Sequence, residues 1–154
     1  MERSLLEEFK RKCLLLRIML NSTKECQGPV VVFQGVIVDL EKQYFRISTA
    51  MRQKIQSFSP LNAEAGVDRI YDVAEVEKLV GRFEWCSWLV AAGRQHLFYL
   101  LKDLQAARDC HSLDMSLSSE AEAELNWWRR DVVLSKGKSF AECDHSYLLK
   151  VVSE

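Results

Sequence analysis

Apolar positions along the chain switch between two periods. Leu5, Phe9, Leu16 and Leu20 recur at helical spacing, with Leu6, Cys13 and Leu14 widening the stripe, and they predict a first amphipathic helix. Ser4 and Glu7 stand three apart, the spacing of a capping box, and Asn21-Ser22-Thr23 predicts the helix end. Gly28-Pro29 then closes a polar loop. Val30-Val31-Val32-Phe33 and Val36-Ile37-Val38 are β-branched apolar runs split by Gly35. A glycine inside a strand pattern predicts a bulge or a close backbone approach. Asp39 to Gln43 is a largely polar turn, and Tyr44-Phe45-Arg46-Ile47 returns as the partner strand.

From Ser48 onward the period is helical. Ser48 caps a short helix to about Ser57, with Met51, Ile55 and Phe58 on one face. Residues 59–71, with Pro60 and Gly66, read as a loop. Asp72 and Glu75 form a second capping box, followed by the stripe Val76, Leu79, Val80, Phe83, Cys86 and Val90. Gly93 breaks the chain. Arg94 to Arg108 predicts a helix with Leu97, Leu100, Leu101 and Leu104 inward. Ser118-Ser119-Glu120 opens a last long helix with Ala121, Leu125, Trp128 and Val132 on one face, and Gly137 ends the organised region. The expected fold is mainly α with a small antiparallel β-hairpin, an α+β arrangement of four or five helices and two or three strands. Residues 1–47 form an α+β unit, 48–135 a helical bundle, and 136–154 a C-terminal tail carrying Tyr147, Leu148 and Leu149.

Composition narrows the function. Of 154 residues 48% are apolar, which excludes a disordered chain. The net charge is −1 and each half of the chain is near neutral, so the basic footprint of a nucleic-acid binder is missing at this level. The apolar run Cys13–Leu20 is too short for a membrane span and is interrupted by Arg17, and Glu2, Glu7 and Glu8 precede it. An intracellular location, cytoplasmic or nuclear, and no membrane partner are expected. The five cysteines at 13, 26, 86, 110 and 143 include no CxxC pair. Reduced, mostly packed thiols are expected. Cys110-His111 and Cys143-Asp144-His145 lack the tight spacing that aims two ligands at one zinc, so no metal site and no cofactor are expected.

The order of motifs resembles one family. Phe33-Gln34-Gly35-Val36-Ile37-Val38-Asp39 looks like the F-L-G-x-x-[IVL]-D hairpin of retroelement reverse transcriptases, with Gln34 in place of the usual Leu. Lys24 and Gly28-Pro29 match the loop before it, and Arg46-Ile47-Ser48 and Lys54-Ile55 match the extended segment and Lys-bearing helix after it. Leu79-Val80-Gly81-Arg82-Phe83-Glu84-Trp85 resembles L-x-G-x-[LF]-x-[WF]. Gly93-Arg94 and the Leu-rich helix from Leu97 to Leu104 follow. Leu117-Ser118-Ser119-Glu120-Ala121 with Glu124-Leu125-Asn126-Trp127-Trp128 resembles the family's last helix, in the Trp-Trp form of LTR-type and tyrosine-recombinase-type elements. The resemblance spans residues 5–135 and implies the edge of the palm, the thumb and the start of the connection region.

The same resemblance implies a noncatalytic thumb-like module. The family's polymerase centre uses a Tyr/Phe-x-Asp-Asp motif to hold two metal ions, and this chain contains no Asp-Asp. In the family that motif lies upstream of the position of Ser4 and the ribonuclease H region downstream of Glu154. No catalytic residue is assigned, and no polymerase, nuclease or hydrolase activity is expected. The implied ligand is an RNA–DNA or DNA duplex held by shape and phosphate contacts. Its contacts would come from Phe33, Gln34 and Gly35 of the hairpin and from Arg82, Arg94 and Lys102 of the helices. The alternative is a domesticated protein–protein interaction or oligomerisation module without nucleic-acid binding, since Glu84, Asp103 and Asp109 are interleaved with those cations. The tryptophans at 85, 88, 127 and 128 fit either base-stacking platforms or helix packing. The first helix is apolar over much of its surface, which predicts an interface through residues 5–20 and 30–47. Phe9, Leu15 and Ile18 would be at its centre, with a second copy or another protein as partner, unless Tyr147, Leu148 and Leu149 fold back over it.

Overall fold

The structure is a computed structural model and describes residues 2–16, 28–62 and 68–142. Helix α1 runs Glu2–Leu15. It starts two residues before Ser4, so the expected cap position falls inside the first turn. The expected stretch to Leu20, including Ile18, lies outside the described residues, as do the loop before Gly28 and the tail at Tyr147, Leu148 and Leu149.

Strands β1 (Val30–Phe33), β2 (Val36–Asp39) and β3 (Tyr44–Ile47) form an antiparallel meander. Gly35 is not a bulge within a strand. Gln34 and Gly35 are the two central residues of a tight hairpin turn, both with positive φ (47° and 82°), and Phe33 pairs with Val36 across it. That turn matches the right-handed twist of the strands and favours Gly at its second position. The expected close backbone approach is present: a Cβ on Gly35 would collide with the Met51 side chain.

The sheet has one strand more than expected. Strand β6 (Lys138–Ser139) pairs with β3, giving the order β1-β2-β3-β6, so the organised chain continues past Gly137. The Tyr44 ring lies against Gly137, which leaves no room for a side chain there. No apolar alternation marks residues 138–139, which is why they carry no strand signal.

Helix α2 (Thr49–Gln56) is capped by Ser48, whose hydroxyl accepts from the Met51 amide at 3.2 Å. Two short strands, β4 (Tyr71–Asp72) and β5 (Asp114–Met115), pair with each other and brace the helical layer. Asp72 caps α3 (Val73–Cys86), accepting from the Glu75 amide at 2.9 Å. The Glu75 carboxylate binds Lys78 at 2.7 Å and does not return to the cap. A single 3-10 turn, Gly93–His96, precedes α4 (Phe98–Asp109), so the helix predicted from Arg94 starts four residues later. Helix α5 (Ser119–Trp128) is capped by Ser118, and α6 (Asp131–Leu134) follows a break at Arg129-Arg130. That break turns Val132 outward, while Val133 and Leu134 enter the core. Leu101 is likewise on the surface side of α4, with Leu97, Leu100 and Leu104 buried as expected.

The core lies between α3, α4 and α5. Trp128 is fully buried, stacks on Phe83 with centroids 4.6 Å apart, and donates its indole N–H to the His96 carbonyl at 2.9 Å. Gly93 is required because a Cβ there would stand 2.8 Å from the Trp128 ring. Helices α4 and α5 cap each other. The Glu124 carboxylate of α5 accepts from the Tyr99 and Leu100 amides at 3.2 and 2.9 Å, at the start of α4. The Asp103 carboxylate of α4 accepts from the Ser118 amide and hydroxyl at 2.7 and 2.8 Å, at the start of α5. A carboxylate at each helix N-terminus serves orphan amides and suits the helix dipole.

Candidate nucleic-acid interface

The hairpin tip is docked on the helical layer. The Trp85 indole N–H donates to the Gln34 carbonyl at 3.1 Å, and Phe33 meets the Trp85 ring edge-on at 6.2 Å. The Gly35 carbonyl accepts from the Ser48 amide at 2.8 Å, just before α2. The tip therefore rests on Met51 of α2 and Trp85 of α3.

One helical turn from each of those residues stands a cation. Met51 and Lys54 are three apart on α2, and Trp85 and Arg82 are three apart on α3, so each pair shares a helix face. Lys54 and Arg82 line one cleft of about 340 Å³, with Ser57, Phe58, Ser59, Leu61, Asp72 and Glu75. A helical turn rises about 5.4 Å, so the cleft that the two cations line, the α2–α3 groove, begins about one turn from the tip. Neither Lys54 nor Arg82 has an ion-pair partner among the described residues. The two nearby carboxylates are engaged locally, Asp72 at its cap and Glu75 on Lys78.

The other two predicted cations lie elsewhere. Arg94 lines a shallow depression with Glu84, Ser87, Leu97 and Leu101. Lys102 stands near Glu120, whose carboxyl is held below its usual range chiefly by a backbone hydrogen bond, then by the Ser119 hydroxyl and by Lys102. Phe33, Gln34 and Gly35 thus sit against Trp85 and Met51, one helical turn from Arg82 and Lys54, which line the cleft; the tip does not line it, and Arg94 and Lys102 lie elsewhere. Lys54 belongs to the groove although the choice of binding residues from sequence omits it. Its spacing from Met51 puts it on the tip-facing side of α2, but that this side borders the same cleft as Arg82 follows only from the packing.

The tryptophans serve packing. Trp128 is core, Trp127 stacks on His96 at 3.9 Å, and Trp88 meets Phe45 edge-on at 5.1 Å. On α1, Cys13 is buried, whereas Phe9, Leu14, Leu15 and Leu16 are between 56% and 77% exposed. Tyr71 is buried and donates its hydroxyl to Glu122 at 2.6 Å; burial and that carboxylate push its pKa up to about 12. Burial pushes the Cys86 thiol up to about 11. Among the described residues, no group of three or more His, Cys, Asp or Glu side chains could hold a metal ion, and no helix is long and apolar enough to cross a membrane. Cys143, Asp144 and His145 lie outside the described residues. No family model matches the chain and no curated protein matches it.

Proposed function

We propose that the chain is a noncatalytic module derived from a reverse-transcriptase thumb, and that it holds a nucleic-acid duplex along the α2–α3 groove. The observation that carries this reading is the alignment of the Gln34-Gly35 tip with Lys54 and Arg82, two cations free of ion pairs among the described residues. A glycine turn lets a backbone approach closely, and paired cations contact phosphates without reading bases. Arg94 and Lys102 also have no ion pair among the described residues, but they lie outside the groove and contribute less. The test is titration with a DNA–RNA hybrid across a range of salt. Affinity should fall with salt, and Lys54→Ala plus Arg82→Ala should lower the log–log slope by about two units, one per lost phosphate contact. An unchanged slope overturns the assignment.

A second surface supports a protein partner. The exposed Phe9, Leu14, Leu15 and Leu16 on α1 form an apolar stretch of the kind that marks interfaces, and a second copy of the chain is the simplest occupant. Sedimentation at tens of micromolar tests it: a dimer supports the surface, a monomer with no added partner removes self-association.

A further inference from the structure

The α2–α3 cleft contains a hydroxyl that neither the fold nor the duplex contact uses. Ser59 is exposed and lies in the irregular stretch 58–62 that follows α2. Both flanks of that segment are anchored. Phe58 stacks on Tyr71 with centroids 5.5 Å apart, the Leu61 amide donates to the Ile70 carbonyl at 2.7 Å, and the Asn62 side chain bonds Asp68 and Ile70. The Ser59 hydroxyl itself has no hydrogen-bond partner among the described residues. Pro60 follows it, and a proline disfavours helix for the residue before it, which keeps Ser59 in the extended range that an enzyme cleft can grip. Only two prolines occur in the chain, and Pro29 is preceded by glycine, so Ser59-Pro60 is the single Ser/Thr-Pro step. Lys54 and Arg82 line the same cleft as Ser59, together with the Asp72 and Glu75 carboxylates, which are engaged at the α3 cap and on Lys78.

We infer that Ser59 is a phosphorylation site for a proline-directed protein kinase, and that Lys54 and Arg82 receive its phosphate and are thereby withdrawn from the duplex. In that step the Ser59 Oγ attacks the γ-phosphorus of kinase-bound ATP. An O–P bond forms, the bond from the γ-phosphorus to the bridging oxygen breaks, ADP leaves, and the hydroxyl proton passes to the kinase's general base. The phosphate brings a charge of about −1.5 to −2, enough to neutralise both cations. The withdrawal rests on the reading of the groove as a phosphate-contact surface; the modification and its receptor do not.

Two readouts separate these. The folded full chain is incubated with ATP and a proline-directed kinase, the product is mapped by mass spectrometry, and the phosphoserine is titrated by phosphorus NMR. One phosphate at Ser59, absent from Ser59→Ala, is expected. Its second ionisation should fall below the usual midpoint of about 6, and return to it in Lys54→Gln plus Arg82→Gln. No phosphate at Ser59, or the same midpoint with and without the two cations, overturns the site. Affinity for the DNA–RNA hybrid is then compared before and after phosphorylation, and about a tenfold loss is expected. Unchanged affinity in a chain that binds the duplex overturns the switch. A shifted midpoint in a chain that never binds the duplex upholds the receptor and overturns the groove reading instead.

Discussion

The α3–α5 layer and helix α1 are built from similar residues and use them in opposite ways. In the layer, Phe83, Leu100, Leu125 and Trp128 are buried to within about one per cent, and the helix ends are closed by each other's carboxylates. On α1, Phe9, Leu14 and Leu15 remain largely exposed, whereas Cys13 is buried. Apolar content therefore does not distinguish a core helix from one whose apolar side chains stay exposed. Packing does: the apolar faces of the layer meet one another, whereas Phe9, Leu14 and Leu15 of α1 stay open to solvent. The Ser-x-x-Ala-x-x-Glu-Leu-x-Trp-Trp run illustrates it, because nearly every member has a packing or capping duty: Ser118 caps, Ala121 and Leu125 pack, Glu124 caps α4, and Trp128 fills the centre.

The contrast breaks first in the layer. Trp128→Ala should destabilise the fold by about 3–5 kcal/mol in denaturant unfolding, since it empties the space between Phe83 and Gly93 and orphans the His96 carbonyl. A loss below about 1 kcal/mol would mean that the layer is not the core. Glu124→Ala should cost about 3 kcal/mol by leaving the buried Leu100 amide and the part-buried Tyr99 amide without an acceptor. A loss no larger than that of an exposed glutamate would remove the mutual caps.

The pH dependence of stability sharpens the same point. The folded-state pKa values of Tyr71 and Cys86 are raised to about 12 and about 11, from ordinary values of 10 and 9. Groups that bury a neutral acid contribute stability below the unfolded pKa and lose it as pH rises toward the folded one. Stability should therefore fall between about pH 9 and 12, by up to about 2 kcal/mol for each group. A flat profile over that range would mean that neither side chain is held neutral by burial. The smallest effect is expected on α1. Leu15→Glu should change stability by less than about 0.5 kcal/mol, because the residue is already exposed. If α1 is an interface, the same change yields monomers; unfolding or aggregation would show that Leu15 is internal.

Much of the fold is legible in the sequence where a local rule acts. The caps at Ser48 and Asp72, the helix start at Ser118 and the stripe Val76–Cys86 follow from short-range spacing and appear as expected. Strands β4, β5 and β6 do not, because two-residue strands have no period, and their pairing depends on residues distant in sequence. The Gln34-Gly35 turn carries the glycine signal but not its meaning: a hairpin turn and a bulge place Gly in the same kind of apolar run. The groove is partly legible. Gly35 and Arg82 stand out in the motifs, whereas the inclusion of Lys54 and the separation of Arg94 and Lys102 depend on how α2, α3 and α4 pack.

The groove as the site of duplex contact is tested most directly by an amide NMR footprint of the full chain titrated with a DNA–RNA hybrid at low salt. Shifts should cluster on Gln34 and Gly35, on α2 from Met51 to Ser57, and on α3 from Lys78 to Trp85, and should leave Arg94 and Lys102 little changed. Shifts confined to α1, or spread evenly over the exposed lysines and arginines, would contradict it.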